Sequence, residues 1–169
     1  MGRILIHIIL AILISFVIQL ILHEIGHFIG GIITGWRFIY IQIHKLVILR
    51  EDNKLRVMVV KDKGYKCIMY PISLNTGGLI YTMGGCIINL LSGISCLVII
   101  LTVSMSPLMW LYLWCFSVFG IGLNLMNGIS STERVCNDKA CYNLLKEDER
   151  TRLCHNGQLL MAKELANGH

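Results

Sequence analysis

The sequence predicts a mainly α-helical, polytopic membrane protein with three transmembrane helices and a small β-hairpin or sheet between the first and the second. Hydrophobic residues make up 55% of the chain and charged residues only 15%, whereas soluble domains carry about 25% charged residues. No Lys, Arg, Asp or Glu occurs from Ile4 to Leu22 or from Cys67 to Thr132. A spanning helix needs about 20 such residues, so the second run is long enough for two spans.

The three spans are expected at about residues 4–34, 77–103 and 108–127. The Ser-Met-Ser-Pro stretch at 104–107 separates the last two, because proline suits a turn or the first turn of a new helix. Arg3 precedes the first apolar run as in a signal peptide, but no small-residue cleavage site follows, and we expect the segment to be retained. A chain of 169 residues is expected to form a single domain.

Residues 35–76 form a polar connection between the first two spans, and residues 128–169 form a polar tail. In the connection, β-branched and aromatic residues alternate partially with polar ones, with an interruption at Arg-Glu-Asp-Asn-Lys. This pattern predicts a hairpin with strands at about 37–49 and 55–60. An exposed strand edge could bind an extended peptide, and the alternative is a hairpin that lies on the membrane surface. A structural zinc site is a further alternative for the tail residues Cys136, Cys141, Cys154 and His155.

The basic residues are distributed unevenly around the predicted spans. The connection and the tail hold 14 of the 15 Lys and Arg residues, and Arg3 is the other. Cytoplasmic loops carry the excess of Lys and Arg, so we expect a multi-pass cell-membrane protein with its N-terminus outside and the connection and tail in the cytoplasm. The net charge of +5 then reflects topology and contact with the lipid bilayer. No basic stripe with interleaved aromatics indicates nucleic-acid binding.

The first apolar run contains His-Glu-Ile-Gly-His, and ionisable groups inside a membrane segment are expensive and mark functional sites. His23 and His27 are four residues apart, so they lie on one helix face and can bind the same ion. Glu24 lies beside them, as does the general base in the HExxH arrangement of zinc metalloproteases. The alternative is a pair of structural histidines that bond to neighbouring helices.

Three motifs in this order resemble those of the site-2 protease family of intramembrane zinc metalloproteases. His-Glu-Ile-Gly-His matches the family's HExxH motif, and Met-Gly-Gly-Cys-Ile-Ile-Asn at 83–89 resembles its GG-P-x-x-N pattern, with Cys86 in place of proline. Asn-Leu-Met-Asn-Gly at 124–128 is similar to its Asn-Leu-x-Pro stretch, with Asn127 where proline is common. The resemblance implies a small sheet beside the active site.

The resemblance also implies an aspartate after the third span as the third zinc ligand. The candidate is Asp138, although Lys139 follows it where the family usually has glycine. The alternative role of Asp138 is to cap the helix predicted just after it. Asn124 and Glu133 are the reserve candidates. Asn89 by resemblance holds the substrate backbone or the developing oxyanion, and alternatively makes an interhelical hydrogen bond.

These features predict a metalloprotease, a hydrolase that cuts a peptide bond in a membrane-spanning or membrane-associated substrate near the cytoplasmic face. The expected cofactor is Zn²⁺, held by His23, His27 and Asp138. Glu24 is the expected catalytic residue, and Asn89 is expected to bind substrate. The expected partners are a membrane-embedded peptide or protein and the bilayer, and homo-oligomerisation is left open. The alternative is a non-catalytic zinc-binding membrane partner that binds peptides or regulates another membrane protein.

Overall fold

The structure, a computed structural model, contains three long helices and one β-hairpin, in the order α1 (Gly2–Ile33), β1 (Arg37–Glu51), β2 (Lys54–Tyr70), α2 (Leu79–Thr102) and α3 (Pro107–Gly128). It describes residues 2–51, 54–73 and 76–128, and from the C-terminal segment Asp138, Lys146, Glu149, Leu153, Asn156, Gly157 and 159–161. The three helices are long and apolar enough to cross a membrane. The predicted class of three apolar helices with a hairpin after the first is confirmed.

The helices place polar side chains inside the bundle and apolar side chains outside, the reverse of a soluble protein. Gln19, Asn89 and Ser117 are at most 1% exposed. Large apolar side chains such as Leu91 and Val118 are each 56% exposed. Polar residues in membrane segments face the bundle interior in this way, so the distribution is compatible with a membrane protein.

Helix α1 ends at a glycine-dependent cap, which turns the chain toward the hairpin. Gly35 has a φ of 80°, in the left-handed region that favours glycine. The N–H of Trp36 donates to the carbonyl of Gly31 at 2.8 Å, and the N–H of Gly35 donates to the carbonyl of Ile32 at 3.1 Å. This pair of bonds is a Schellman motif, and it explains why β1 begins so soon after the helix.

Helix α3 begins at Pro107, inside the stretch predicted to separate the last two spans. Proline at the first helical position sacrifices no hydrogen bond, because the N–H there has no partner within the helix. The hydroxyl of Ser106 accepts the N–H of Met109 at 3.3 Å and caps the helix. The long apolar run therefore divides at this point.

Glycines allow the backbones of α1 and α2 to touch. A Cβ on either Gly26 or Gly84 would collide with the backbone of the other. A Cβ on Gly30 would lie 2.6 Å from the carbonyl oxygen of Ile80. Small residues permit such close packing of apolar helices, and the contact brings the first turns of α2 against the His-Glu-Ile-Gly-His segment.

Strands β1 and β2 form an antiparallel hairpin, which runs from the pair Arg37–Tyr70 at its base to the pair Glu51–Lys54 near its tip. The predicted hairpin is confirmed, but the expected end of the second strand near residue 60 is wrong. Strand β2 continues to Tyr70. The additional residues carry the hairpin back to the helices.

The continuation of β2 passes through a bulge. Between the pairs His44–Gly64 and Leu46–Val59, β2 has four residues and β1 has one. The φ of His44 is 58°, so the backbone leaves the extended conformation there. The Lys-Asp-Lys run that breaks the alternation in the sequence lies in this bulge and does not end the strand, because bulges accommodate extra residues within a ladder.

The hairpin is joined to α2 by a cluster of four buried residues, Trp36, Cys67, Met69 and Tyr81. The rings of Tyr81 and Trp36 stack with 4.5 Å between their centroids. The hydroxyl of Tyr81 donates to the carbonyl of Cys67 at 2.7 Å, and Leu159 of the C-terminal segment packs against the same cluster. The base of β2 is therefore held beside α1 and α2.

Candidate metal centre

The histidines of α1 converge with a carboxylate from the C-terminal segment. The Nε2 atoms of His23 and His27 are 3.2 Å apart. The Oδ2 atom of Asp138 lies 3.0 Å from Nε2 of His23 and 3.6 Å from Nε2 of His27. The structure therefore brings together the three residues predicted as metal ligands, and their ligand atoms all lie within 4.8 Å of one another.

The spacing of these atoms fits one face of a tetrahedral zinc site. Zinc–ligand bonds of about 2.0–2.1 Å give ligand–ligand edges of about 3.3–3.4 Å in a tetrahedron. The three observed separations are 3.2, 3.0 and 3.6 Å. Two imidazoles and one carboxylate also form the ligand set of known catalytic zinc sites, in which water or substrate takes the fourth position. The group could therefore hold a metal ion of this kind.

His27 is oriented by the backbone of α2. Its Nδ1 atom lies 2.8 Å from the carbonyl oxygen of Tyr81. Because a carbonyl oxygen only accepts, this bond places the imidazole proton on Nδ1 and leaves the lone pair of Nε2 directed at the other ligand atoms. Metal-binding histidines in proteins are almost always held by such a second hydrogen bond.

His23 packs closely against α2. A Cβ on Gly85 would lie 2.6 Å from the Cε1 and Nε2 atoms of the His23 ring, so only glycine leaves room for the imidazole. The Nδ1 atom of His23 lies 3.4 Å from Nδ2 of Asn89. Asn89 thus contacts a histidine, and its expected role in substrate binding stays a prediction.

Asp138 is held by groups from α1 and α2. The thiol of Cys86 donates to Oδ2 of Asp138 at 3.4 Å. Burial opposes ionisation of this carboxyl, but the hydrogen bond with His23 and the nearby histidines outweigh it and hold the pKa of Asp138 below its ordinary value. A metal ligand must be deprotonated, so the environment of Asp138 favours the form that binds. Residues 139–145, in the helix predicted after Asp138, lie outside the described residues.

Glu24 is buried between the histidines and the hairpin, with 6% of the residue exposed. The backbone N–H of Cys67 donates to its carboxylate. The carbonyl of Cys67 receives the hydroxyl of Tyr81. Cys67 lies opposite Ile41 in the hairpin, but its backbone N–H and carbonyl bond with residues of α1 and α2. This edge of β2 therefore faces the candidate site, where the family resemblance implied a small sheet.

The reserve candidates for the third ligand do not join this group in the described part of the chain. Nδ2 of Asn124 donates to the carbonyl of Cys86 at 2.8 Å, so this side chain braces α2. The other reserve candidate, Glu133, lies outside the described residues. So do the four residues of the alternative structural zinc site, Cys136, Cys141, Cys154 and His155.

Sequence reasoning missed a polar stripe that leads along α1 to the site. Ser15 and Gln19 precede His23 at intervals of four residues, and all of them lie on one helix face. Gln19 is fully buried. Its Nε2 atom donates to the hydroxyl of Ser92 and to the carbonyl of Phe116, both at 3.2 Å. The four-residue spacing of polar residues within an apolar run was the signal that could have revealed this stripe.

No family model, curated protein or solved structure matches the chain. A function for the site must therefore be argued from its own geometry and chemistry.

Proposed function

We propose that this chain is a zinc-dependent intramembrane endopeptidase that hydrolyses a peptide bond in a membrane-spanning or membrane-associated substrate. One observation carries the proposal: two imidazole nitrogens and a carboxylate oxygen converge at tetrahedral spacing, beside a buried glutamate, within a bundle of apolar helices. The order of motifs that resembles the site-2 protease family supports the same function.

The residues of the site have separate roles in the proposed reaction. His23, His27 and Asp138 would hold zinc, which when bound polarises carbonyl groups and lowers the pKa of water. The Glu24 carboxylate takes the proton of the attacking water and then passes a proton to the nitrogen of the leaving amine. The N–H of Cys67 ties this carboxylate to β2.

The proposed membrane placement follows from the helices and from the basic residues. The segment from Ile4 to His23 spans about 28 Å at 1.5 Å per residue, close to the roughly 30 Å thickness of a bilayer core. We place the N-terminus outside, because 14 of the 15 Lys and Arg residues belong to the connection and the tail. The site then lies near the cytoplasmic rim, where water can reach it and where the substrate would be cut.

Substitution of Glu24 by Gln separates catalysis from zinc binding. The glutamine side chain would keep an oxygen that accepts the N–H of Cys67, but it cannot take a proton from water. Membrane fractions of cells that express wild type or Glu24→Gln are compared by mass spectrometry of newly formed peptide N-termini. We expect fragments that form only with wild type, while both purified proteins retain zinc. The same fragments in both cell samples would contradict proteolysis by this chain.

A non-catalytic zinc protein is the second candidate, and the position of Cys86 favours it. The Cys86 thiol lies 3.4 Å from Oδ2 of Asp138, and a thiolate as the fourth protein ligand would close the site, as in structural zinc centres. Substitution of Cys86 by Ala distinguishes the candidates. The protease retains its zinc and its fragments in Cys86→Ala, whereas a closed structural site loses zinc affinity.

A further inference from the structure

We propose that Asn89 is the positioning residue of His23: its side-chain carbonyl accepts the hydrogen bond of His23 Nδ1, so that Nε2 is free to bind a metal. This role differs from the substrate contact implied by the family resemblance. The inference rests on the metal-binding part of the proposed function and does not require proteolysis.

The argument begins with the proton of the imidazole. Nε2 is the atom that each histidine turns toward Asp138, at 3.0 Å for His23 and 3.6 Å for His27. A neutral imidazole that binds a metal through Nε2 must carry its proton on Nδ1, and the partner of that N–H fixes the ring. For His27 this partner is the carbonyl of Tyr81. For His23 the side chain at Nδ1 is Asn89.

A 180° rotation of the Asn89 side-chain amide turns its oxygen toward His23 and provides the acceptor that His23 needs. Its Nδ2 atom faces Nδ1 of His23 at 3.4 Å. Its Oδ1 atom is buried and has no hydrogen-bond partner among the described residues. The oxygen and nitrogen of an amide occupy nearly equivalent positions, so the half turn exchanges them. Oδ1 then faces Nδ1–H, and Nδ2 moves to the buried position that Oδ1 held.

The backbone around Asn89 holds the amide in place. Asn89 is 1% exposed, so bulk water does not replace it as an acceptor. The hydroxyl of Ser92 donates to the carbonyl of Asn89 at 3.0 Å, and a Cβ on Gly120 would lie 2.8 Å from the same oxygen. Because the backbone of Asn89 is fixed by this packing, the side chain can adjust only by rotation of its amide group. The carbonyl of Gly85 also lies near His23 and is the competing acceptor.

Zinc affinity of the purified chain in detergent tests the role, with a chromophoric chelator as the competitor. Asn89→Ala removes the acceptor, and we expect zinc binding to weaken about 10–100-fold, as for other residues that orient metal ligands. Asn89→Asp provides oxygens that accept, so we expect affinity at the wild-type value or tighter. Leu91→Ala is the matched control, since Leu91 lies on the same helix but faces outward with 56% of the residue exposed, and we expect no change.

Three outcomes would overturn the role. Wild-type affinity in Asn89→Ala would show that another group, such as the Gly85 carbonyl, is the acceptor. Equal weakening in Asn89→Ala and Asn89→Asp would show that the amide nitrogen, which both variants lack, is the group that matters, and not the oxygen. Equal weakening in Leu91→Ala would point to general packing. Asn89→Leu, whose side chain branches at the same carbon and has no acceptor, replaces Asn89→Ala if the smaller side chain prevents folding.

The same measurements separate this inference from the proposed function. Wild type that binds zinc in an Asn89-dependent manner but forms no fragments would contradict the protease and leave the positioning role intact. Fragments that depend on Glu24, together with Asn89-independent zinc binding, would leave the protease and overturn the positioning role. Folded wild type without zinc affinity would overturn both.

Discussion

Tyr81 joins His27 to the hairpin, because its backbone bonds with His27 and its side chain bonds with Cys67 of β2. Its backbone carbonyl accepts the N–H of His27 Nδ1 at 2.8 Å, and its hydroxyl donates to the carbonyl of Cys67 at 2.7 Å. Cys67 in turn donates its N–H to Glu24. The orientation of His27, a proposed metal ligand, is therefore coupled through Tyr81 and Cys67 to the attachment of β2 and to the position of Glu24, the proposed general base.

Substitution of Tyr81 by Phe is expected to destabilise the protein while zinc binding persists. The change removes the hydroxyl and leaves the buried carbonyl of Cys67 without its donor, a loss of about 1–3 kcal/mol in the free energy of unfolding. The backbone carbonyl that orients His27 remains. Denaturant unfolding in detergent measures the effect. Tyr65→Phe is the control, because Tyr65 lies on β2, as Cys67 does, but is 37% exposed. Equal stability of the two variants would contradict the role of this hydroxyl.

Substitution of Gly85 by Ala is expected to weaken zinc binding in a protein that still folds. The new Cβ would lie 2.6 Å from atoms of the His23 ring. The ring is the far end of a flexible side chain, so it can move aside without disruption of α2, and the displaced Nε2 leaves the ligand group. We expect a loss of zinc affinity of roughly tenfold or more.

Gly122→Ala is the matched control for this glycine, because a Cβ at Gly122 meets nothing within 4 Å. Its zinc affinity is expected to equal that of wild type. Wild-type affinity in Gly85→Ala as well would mean that His23 does not bind the metal from the position described.

The sequence predicted the three helices and the shared face of His23 and His27, because both follow from local composition and spacing. The approach of Asp138 to this face depends on the path of the chain through two further helices, so a family resemblance had to suggest it. The role of Tyr81 is carried largely by its backbone carbonyl, which side-chain patterns do not encode. The true end of β2 was missed because the charged residues of the bulge resemble the end of a strand.

Substitution of Gln19 by Leu tests the polar stripe beneath the site. Leucine has a similar volume but makes neither the bond to Ser92 nor the bond to the Phe116 carbonyl. Interhelical hydrogen bonds in membranes contribute about 0.6–1.7 kcal/mol, so we expect a decrease of about 1–2 kcal/mol in the free energy of unfolding in detergent. Ile18→Leu is the control, since Ile18 is 40% exposed on the outer face. Equal stability of both variants would show that the stripe does not hold the helices together.

The reactivity of Cys67 reports whether β2 stays against the helices. Burial, with a contribution from Glu24, raises the pKa of the Cys67 thiol from 9.0 to about 12. At pH 8 the thiolate is then about one part in ten thousand instead of about one in ten, and only the thiolate reacts. We expect slow maleimide labelling of Cys67 that accelerates as the pH rises and on unfolding. Labelling at pH 8 as fast as that of a free thiol would contradict the docked position of the strand.

The measurement that tests the proposed metal centre most directly is the zinc content of the detergent-purified chain, compared between wild type, Asp138→Ala and Asp62→Ala. Asp62 lies in the bulge of β2, and its backbone carbonyl keeps its bond to Gln42 in the variant. We expect about one zinc ion per chain in wild type and Asp62→Ala, and a clear loss in Asp138→Ala. Folded wild type that takes up no zinc when zinc is supplied, or Asp138→Ala that retains the full amount, would contradict the proposed centre.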